Sequence, residues 1–344
     1  MCETGDHDDG DTGNSADGVP CVRVEREAGE ETRQQLAAAG LLDRRHDITH
    51  EGGHLHIPVT DPVAASDAGH SVVTYDAPQR ETQTTPADLL DFEPSYERIG
   101  ETVIIDEDDP ERARELADAL VASDIPAETV LDRASKVQGR ERVREWTLLV
   151  GDDTEVRHRE YGCEFAVDLA AVYFSPRLAT ERHRVTEQVS PGEQVFDMFA
   201  GVGPFAVPFA QQGATVVGTD INETAIEYLR ENAERNGVTD RVTAVHGDVR
   251  EVATDYEGWA DRIVMNLPHS ADAFLDTAVA LAGAECVLHY YDIQSEDDPY
   301  GPGERAIRAA AEPDYEVTVD TRRRVRSYAP HELNVCLDVR LRRR

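Results

Sequence analysis

An apolar strand that ends in a glycine turn and opens a helix constrains this chain more than any other stretch. It runs Val195-Phe196-Asp197-Met198-Phe199-Ala200-Gly201-Val202-Gly203-Pro204-Phe205. Glycines at such a turn let the backbone approach a ligand where a Cβ would collide. Ala206 stands where a dinucleotide fingerprint carries its third glycine, a replacement that fingerprint tolerates. About 20 residues on, Val216-Val217-Gly218-Thr219-Asp220 is a second strand ending in an acid, placed to accept from ribose hydroxyls. Asp197, before the turn, suits a cationic methionine end better than a pyrophosphate. Gly247-Asp248 follows the next strand, and Asn266-Leu267-Pro268 the one after that. Alone, an Asn-x-Pro turn is an ordinary strand ending. Here its amide oxygen and carbonyls can hold a planar N–H in line with a donor. The combination implies a site for S-adenosylmethionine facing a planar nitrogen, with Asp197, Phe199, Gly201, Gly203, Asp220, Asp248 and Asn266 around the cofactor.

The 344 residues exceed one ordinary core and imply two or three domains. Residues 1–20 are acidic, glycine-rich and poor in large apolar side chains, and read as a disordered tail. Residues 21–75 read as a small α/β module, with strands at 21–24 and 55–59 and a helix at 31–39 stopped at Gly40. A polar linker at 76–92 leads to a middle module over 93–170. There 98–105 alternates as one strand, Pro110 opens a helix, and 147–150, 155–159 and 164–167 are strands. From 171 to 344, strands at 194–199, 214–219, 241–245, 262–266 and 285–291 alternate with helices. Such alternation implies an α/β, doubly wound, largely parallel sheet whose ligands sit beyond the carboxyl ends of its strands.

Asp and Glu number 69 against 34 Lys and Arg, a net charge of −35, and Lys136 is the single lysine. An acidic surface without lysine keeps a protein hydrated in concentrated salt, where the Debye length shrinks to ~3 Å. A halophilic source is therefore expected, and net charge loses its usual value for excluding a nucleic-acid partner. Cys2, Cys21, Cys163, Cys286 and Cys336 lack C-x-x-C spacing and read as buried, reduced thiols. Neither an apolar run of ~18 residues nor a leader-like start is found, which points to a cytoplasmic enzyme.

Tyr173-Phe174-Ser175-Pro176-Arg177-Leu178-Ala179-Thr180-Glu181-Arg182 enters a helix. Its aromatics could stack on an extruded base and Glu181 could take a proton from it. The segment is equally compatible with a capped helix bearing surface charges. Taken with the turns above, Gly247-Asp248-Val249-Arg250 and Val325-Arg326-Ser327-Tyr328-Ala329-Pro330, it resembles the archaeal and eukaryotic tRNA (guanine(37)-N1)-methyltransferases, from about residue 21 to the end of the chain. The resemblance implies a class I (Rossmann-like) methyltransferase domain preceded by two small α/β or α+β modules. It also implies S-adenosylmethionine as cofactor and tRNA as partner, gripped at its anticodon loop and elbow by a monomer. Glu181 then resembles the general base at guanine N1 and Tyr173 the aromatic that positions the guanine. Asn266 and Pro268 resemble the turn holding its edge, and Arg142, flanked by Arg140 and Arg144, the cation at O6. Base catalysis and charge neutralisation meet this chemistry without a metal, and no metal-ligand spacing is present. Arg322-Arg323-Arg324, Arg326 and Arg342-Arg343-Arg344 are candidates for phosphate contacts. The alternative is an aminocarboxypropyl or methyl transferase acting on a wyosine-type tricyclic guanine precursor, whose relatives lack a clean Asn-Leu-Pro at the fourth strand.

Overall fold

The computed structural model describes residues 18–80, 83–135, 139 and 143–344. The chain divides into two compact units at Thr84/Thr85. In the first, strands β1 (Val19–Glu25), β2 (Thr49–Glu51), β3 (His54–Pro58) and β4 (Val72–Tyr75) form a sheet in the order β2-β3-β1-β4. Helices α1 (Gly29–Ala38) and α2 (Pro62–Asp67) accompany it, and Val22, Leu36, Ile57, Val59 and Ala65 make its small core. This unit runs past the boundary expected at residue 75. His46 bridges to Gln79 and Arg80 pairs with Asp47, so the first stretch of the expected linker is tied down.

The second unit opens with β5 (Tyr96–Ile99), β6 (Thr102–Ile105), helix α3 (Pro110–Ala122), β7 (Thr129–Arg133) and β8 (Trp146–Val150), one four-stranded sheet. The single strand expected over 98–105 is thus a hairpin. Gly100, at φ +61°, makes the reversal against the carbonyl of Arg157, where a Cβ would not fit. The hairpin β9 (Glu155–Glu160) and β10 (Cys163–Asp168) follows. No domain break falls at 170, because this hairpin packs on the seven-stranded sheet that follows. Asn232 takes the N–H of Ala166 at 2.7 Å, and Ile99, Leu131, Phe165, Val195 and Phe209 share one core.

The seven-stranded sheet consists of β11 (Gln194–Asp197), β12 (Thr215–Asp220), β13 (Val242–His246), β14 (Ala260–Met265), β15 (Ala282–Ser295), β16 (Tyr315–Ala329) and β17 (Glu332–Arg343). Their order is β13-β12-β11-β14-β15-β17-β16. Neighbours among the first five pair in parallel, whereas β17 runs antiparallel to both β15 and β16. Between the strands lie helices α4 (Ala179–Thr186), α5 (Ala206–Gln211), α6 (Glu223–Arg235), α7 (Val249–Val252), α8 (Leu275–Leu281) and α9 (Gly301–Ala311). Apolar runs such as Ile263-Val264-Met265 are fully buried, as a parallel strand covered on both faces must be. Among the described residues no helix is long and apolar enough to cross a membrane. Cys21, Cys163, Cys286 and Cys336 are buried free thiols, as expected; Cys2 lies outside the described residues.

Candidate active site

Beyond the carboxyl ends of β11 to β14 lies a cavity of about 990 Å³. Gly201 lines it at φ +52°, and no heavy atom stands within 4 Å of where its Cβ would be, so a side chain there would project into open space. At the end of β12, the Asp220 carboxylate accepts from the backbone N–H groups of Gly201 and Asn222, each at 2.9 Å. That pins it on the cavity wall. Asp248 caps α7 through the N–H of Arg250 and pairs with the Arg250 guanidinium. Phe199 lines the wall with its ring edge-to-face on Phe274, centroids 5.1 Å apart. Asp197 stands one layer behind. It is wholly buried, its Oδ1 accepts only a long bond from Phe199 N (3.4 Å), and its Oδ2 has no partner. Burial, aided by the charge of Asp220, lifts its carboxyl to about 7.

The wall groups suit S-adenosylmethionine, with a pinned carboxylate for ribose hydroxyls and bare backbone at the turn, whereas Asp197, expected at the cationic amine, is absent from the cavity wall. Gly203 does not belong with them. It is absent from the cavity wall, sits at φ +89°, and a Cβ there would collide with Leu229 of α6 and crowd Val207. Its glycine serves the packing of the turn on α6.

Asn266, Pro268 and Tyr173 line the same cavity, and Tyr173 is 42% exposed. After Pro268, His269 takes φ +81°, a conformation that costs a non-glycine residue ~1–3 kcal/mol. It turns the imidazole edge-on to Tyr328, 5.1 Å away. Arg142 lies outside the described residues; its neighbour Arg144 lines the cavity and sits over the Trp146 ring.

Glu181 is not brought to the cavity wall, against the expectation for a base in contact with a substrate nitrogen. It is buried, and both of its oxygens are engaged. Oε1 accepts from Arg184 (2.7 Å) and the Tyr291 hydroxyl (3.1 Å), and Oε2 from Arg184 (3.0 Å) and Arg323 (2.7 Å). Behind it a buried polar chain crosses the sheet. Arg184 also grips Asp338 at 2.6 Å, Asp338 accepts from His289 Nδ1 at 2.6 Å, and Arg262 donates to His289 Nε2 at 2.6 Å. Burial pushes the His289 pKa down, in keeping with a neutral ring that donates at one nitrogen and accepts at the other. His289, Cys336 and Asp338 come near enough together to hold an ion. The guanidiniums of Arg184 and Arg262 already occupy that charge position.

Arg182, Tyr328 and Asn334, to which the sequence assigned no role, line the cavity, as does Arg326, expected there only as a phosphate contact. Arg182 is 3% exposed and forked onto Glu160 by two bonds of 2.6 Å. For Arg326 and Tyr328 a signal existed, since they fall in the late motif of 325–330.

The strand order, the glycine turn of β11 and the acid ending β12 define a class I methyltransferase domain. The model of the TRM5/TYW2 methyltransferase domain matches residues 156–319, and that of the tRNA methyltransferase 5 N-terminal domain matches residues 21–67. The chain belongs to the TRM5/TYW2 methyltransferase family. It is 40% identical over 333 residues to the tRNA (guanine(37)-N(1))-methyltransferase Trm5b of Pyrococcus abyssi, covering 93% of this chain and 98% of that protein. The crystal structure of wild-type Trm5b from Pyrococcus abyssi superposes with a TM-score of 0.75 at 37% identity, covering 94% of this chain and 99% of that one. The tRNA(Phe) (4-demethylwyosine(37)-C(7)) aminocarboxypropyltransferase of Pyrococcus horikoshii is 32% identical, covering 74% of this chain and 92% of that protein.

Proposed function

We propose that this chain transfers the methyl group of S-adenosylmethionine to N1 of guanine 37 in the tRNA anticodon loop. The observation that carries the reading is that Gly201, Asp220, Asn266, Pro268 and Tyr173 all line one cavity. Coverage supports methyl over aminocarboxypropyl transfer. The match to the methyltransferase of Pyrococcus abyssi extends over 93% of the chain, and a methyltransferase N-terminal model fits residues 21–67. The aminocarboxypropyltransferase match covers 74%.

When bound, S-adenosylmethionine supplies an electrophilic methyl group. The side chains divide the remaining work. Asp220 accepts from ribose hydroxyls, Asp197 offers negative charge to the cationic amine from behind the wall, Tyr173 stacks on the guanine, and Asn266 with Pro268 holds its edge. Guanine N1 is a poor nucleophile while protonated, so a positioned base raises the rate. Glu181 takes that proton after Arg323, 41% exposed on its own side chain, exchanges the carboxylate for a tRNA phosphate. Arg142, with Arg144 beside it, neutralises charge developing on O6. The net charge of −35 reads as adaptation to concentrated salt, so tRNA is gripped by bidentate arginine contacts more than by counterion release. Incubating the protein in multimolar KCl with transcripts carrying guanine or adenine at position 37, then mapping the methylated nucleotide, tests the reading. A methyl group at N1 of guanine 37 is expected, and its absence overturns the assignment.

A further inference from the structure

Asn334 is 3% exposed, lines the cavity, and its Oδ1 has no hydrogen-bond partner. A buried acceptor left unmade is costly, so an orphan on a residue that lines a binding cavity points to a donor on the ligand, met when the amide turns toward it. Its cross-strand partner is Arg326, another cavity residue, whose buried Nε is likewise unpartnered. Their pairing depends on an irregularity in the hairpin. Arg324 opposes Val335, so a regular ladder would set Val325 against Asn334; the register shifts there, and Arg326 faces Asn334 instead. Bulges of this kind re-aim side chains next to active sites. An acceptor and a donor thus stand side by side on one face of the β16–β17 pair.

The pair stands on the substrate side of the cavity. Two residues from Arg326, Tyr328 meets His269, which follows the Asn266-Leu267-Pro268 turn. The groups suited to the cofactor lie at the ends of β11 and β12. A side-by-side acceptor and donor complement the sugar edge of guanine, where the exocyclic 2-amine donates and N3 accepts. Adenine offers no donor there, and neither does inosine. Contacts on this edge leave N1 and O6 open for the chemistry.

We propose that Asn334 is a specificity-determining residue, its Oδ1 accepting from the 2-amine of the target guanine while Arg326 Nε–H donates to N3. This rests on the guanine 37 reading above. The test is single-turnover kcat/KM on transcripts with guanine or inosine at position 37, with calorimetric cofactor binding as the folding control. The wild type is expected to favour guanine by about 10-fold or more, since a site built to bond a polar group rejects the analogue lacking it. Asn334→Leu should lower the guanine value ~10–100-fold, leave the inosine value nearly unchanged, and so abolish the preference. Arg326→Ala should lower both substrates alike, because both carry N3. Equal losses on the two substrates in Asn334→Leu, or a wild type without the preference, would overturn the proposal; the second outcome needs no variant that folds. Failure of the wild type to methylate the guanine 37 transcript would instead overturn the functional reading itself.

Discussion

Replacing Glu181 by glutamine removes a charge and keeps a shape, and the surroundings of Glu181 fix how much each should matter. Its oxygens accept from Arg184, Arg323 and the Tyr291 hydroxyl. Breaking a buried ion pair outright costs ~3–5 kcal/mol. Two features reduce that here. Arg184 keeps both oxygens of Asp338, at 2.6 and 3.1 Å, and Arg323 is exposed enough to turn to water. The amide oxygen still accepts one bond, so Glu181→Gln should lose ~1–3 kcal/mol of stability, the value of a charge-assisted hydrogen bond. Its single-turnover methylation rate should fall ~10²–10⁴-fold at saturating tRNA and cofactor, the usual contribution of a positioned base. Denaturant titration reads the first effect and the pH profile of the rate reads the second, because a lost base flattens the profile whereas a lost contact does not. Arg323→Ala is the control. It should weaken tRNA binding without slowing the chemical step, since it removes one of the residues that occupy the carboxylate. If Glu181→Gln reacts at near wild-type rate with an unaltered profile, the general-base role falls, and proton loss to solvent or to His269 becomes the better account.

Three further outcomes follow from the cofactor side and the domain boundary. Asp220→Ala should weaken S-adenosylmethionine binding about 10-fold or more by calorimetry, through loss of charge-assisted bonds to ribose, with tRNA affinity unchanged; unaltered cofactor affinity would sink the ribose assignment. Burial raises the Asp197 carboxyl from its ordinary 3.8 to about 7, so the unfolded chain ionises first and stability falls as pH rises from ~4 to ~7, by roughly 4 kcal/mol, then levels. Asp197→Asn should abolish that slope in denaturation curves taken across pH, and wild-type cofactor binding at pH 6 should release a proton, visible as a buffer-dependent heat. Cutting after Thr84, the break between the two compact units, should leave residues 85–344 folded and able to bind cofactor, with weaker discrimination between intact tRNA and an anticodon stem-loop. A truncated protein that fails to bind cofactor would place the boundary elsewhere.

What could be read from the chain and what could not divide along a physical line. The β11 turn, Asp220, Asp248 and Asn266 were legible because each is marked locally, by an apolar run followed by a glycine, an acid or an Asn-x-Pro. The strand period delivers such ends to one edge of a parallel sheet whatever the rest of the chain does. Gly203 had the same local signature, yet its reason lies in Leu229, a full helix away in sequence. The split of 98–105 at Gly100 likewise depends on a carbonyl from β9. Glu181 shows the limit most clearly. Its helix could be read, but its partners come from α4, β15 and β16, and no periodicity announces that Tyr291 and Arg323 will meet it. The arginine-rich stretch of β16 looks in sequence like a solvated face, and part of it is: Arg322 lies on Glu304 and Arg324 on Ser327. One bulge makes the difference for Arg326, because it replaces Val325 opposite Asn334 and thereby reaches the cavity. A register shift of a single residue moves a side chain from one face of a sheet to the other, and whether an arginine here meets water or substrate is decided at that step.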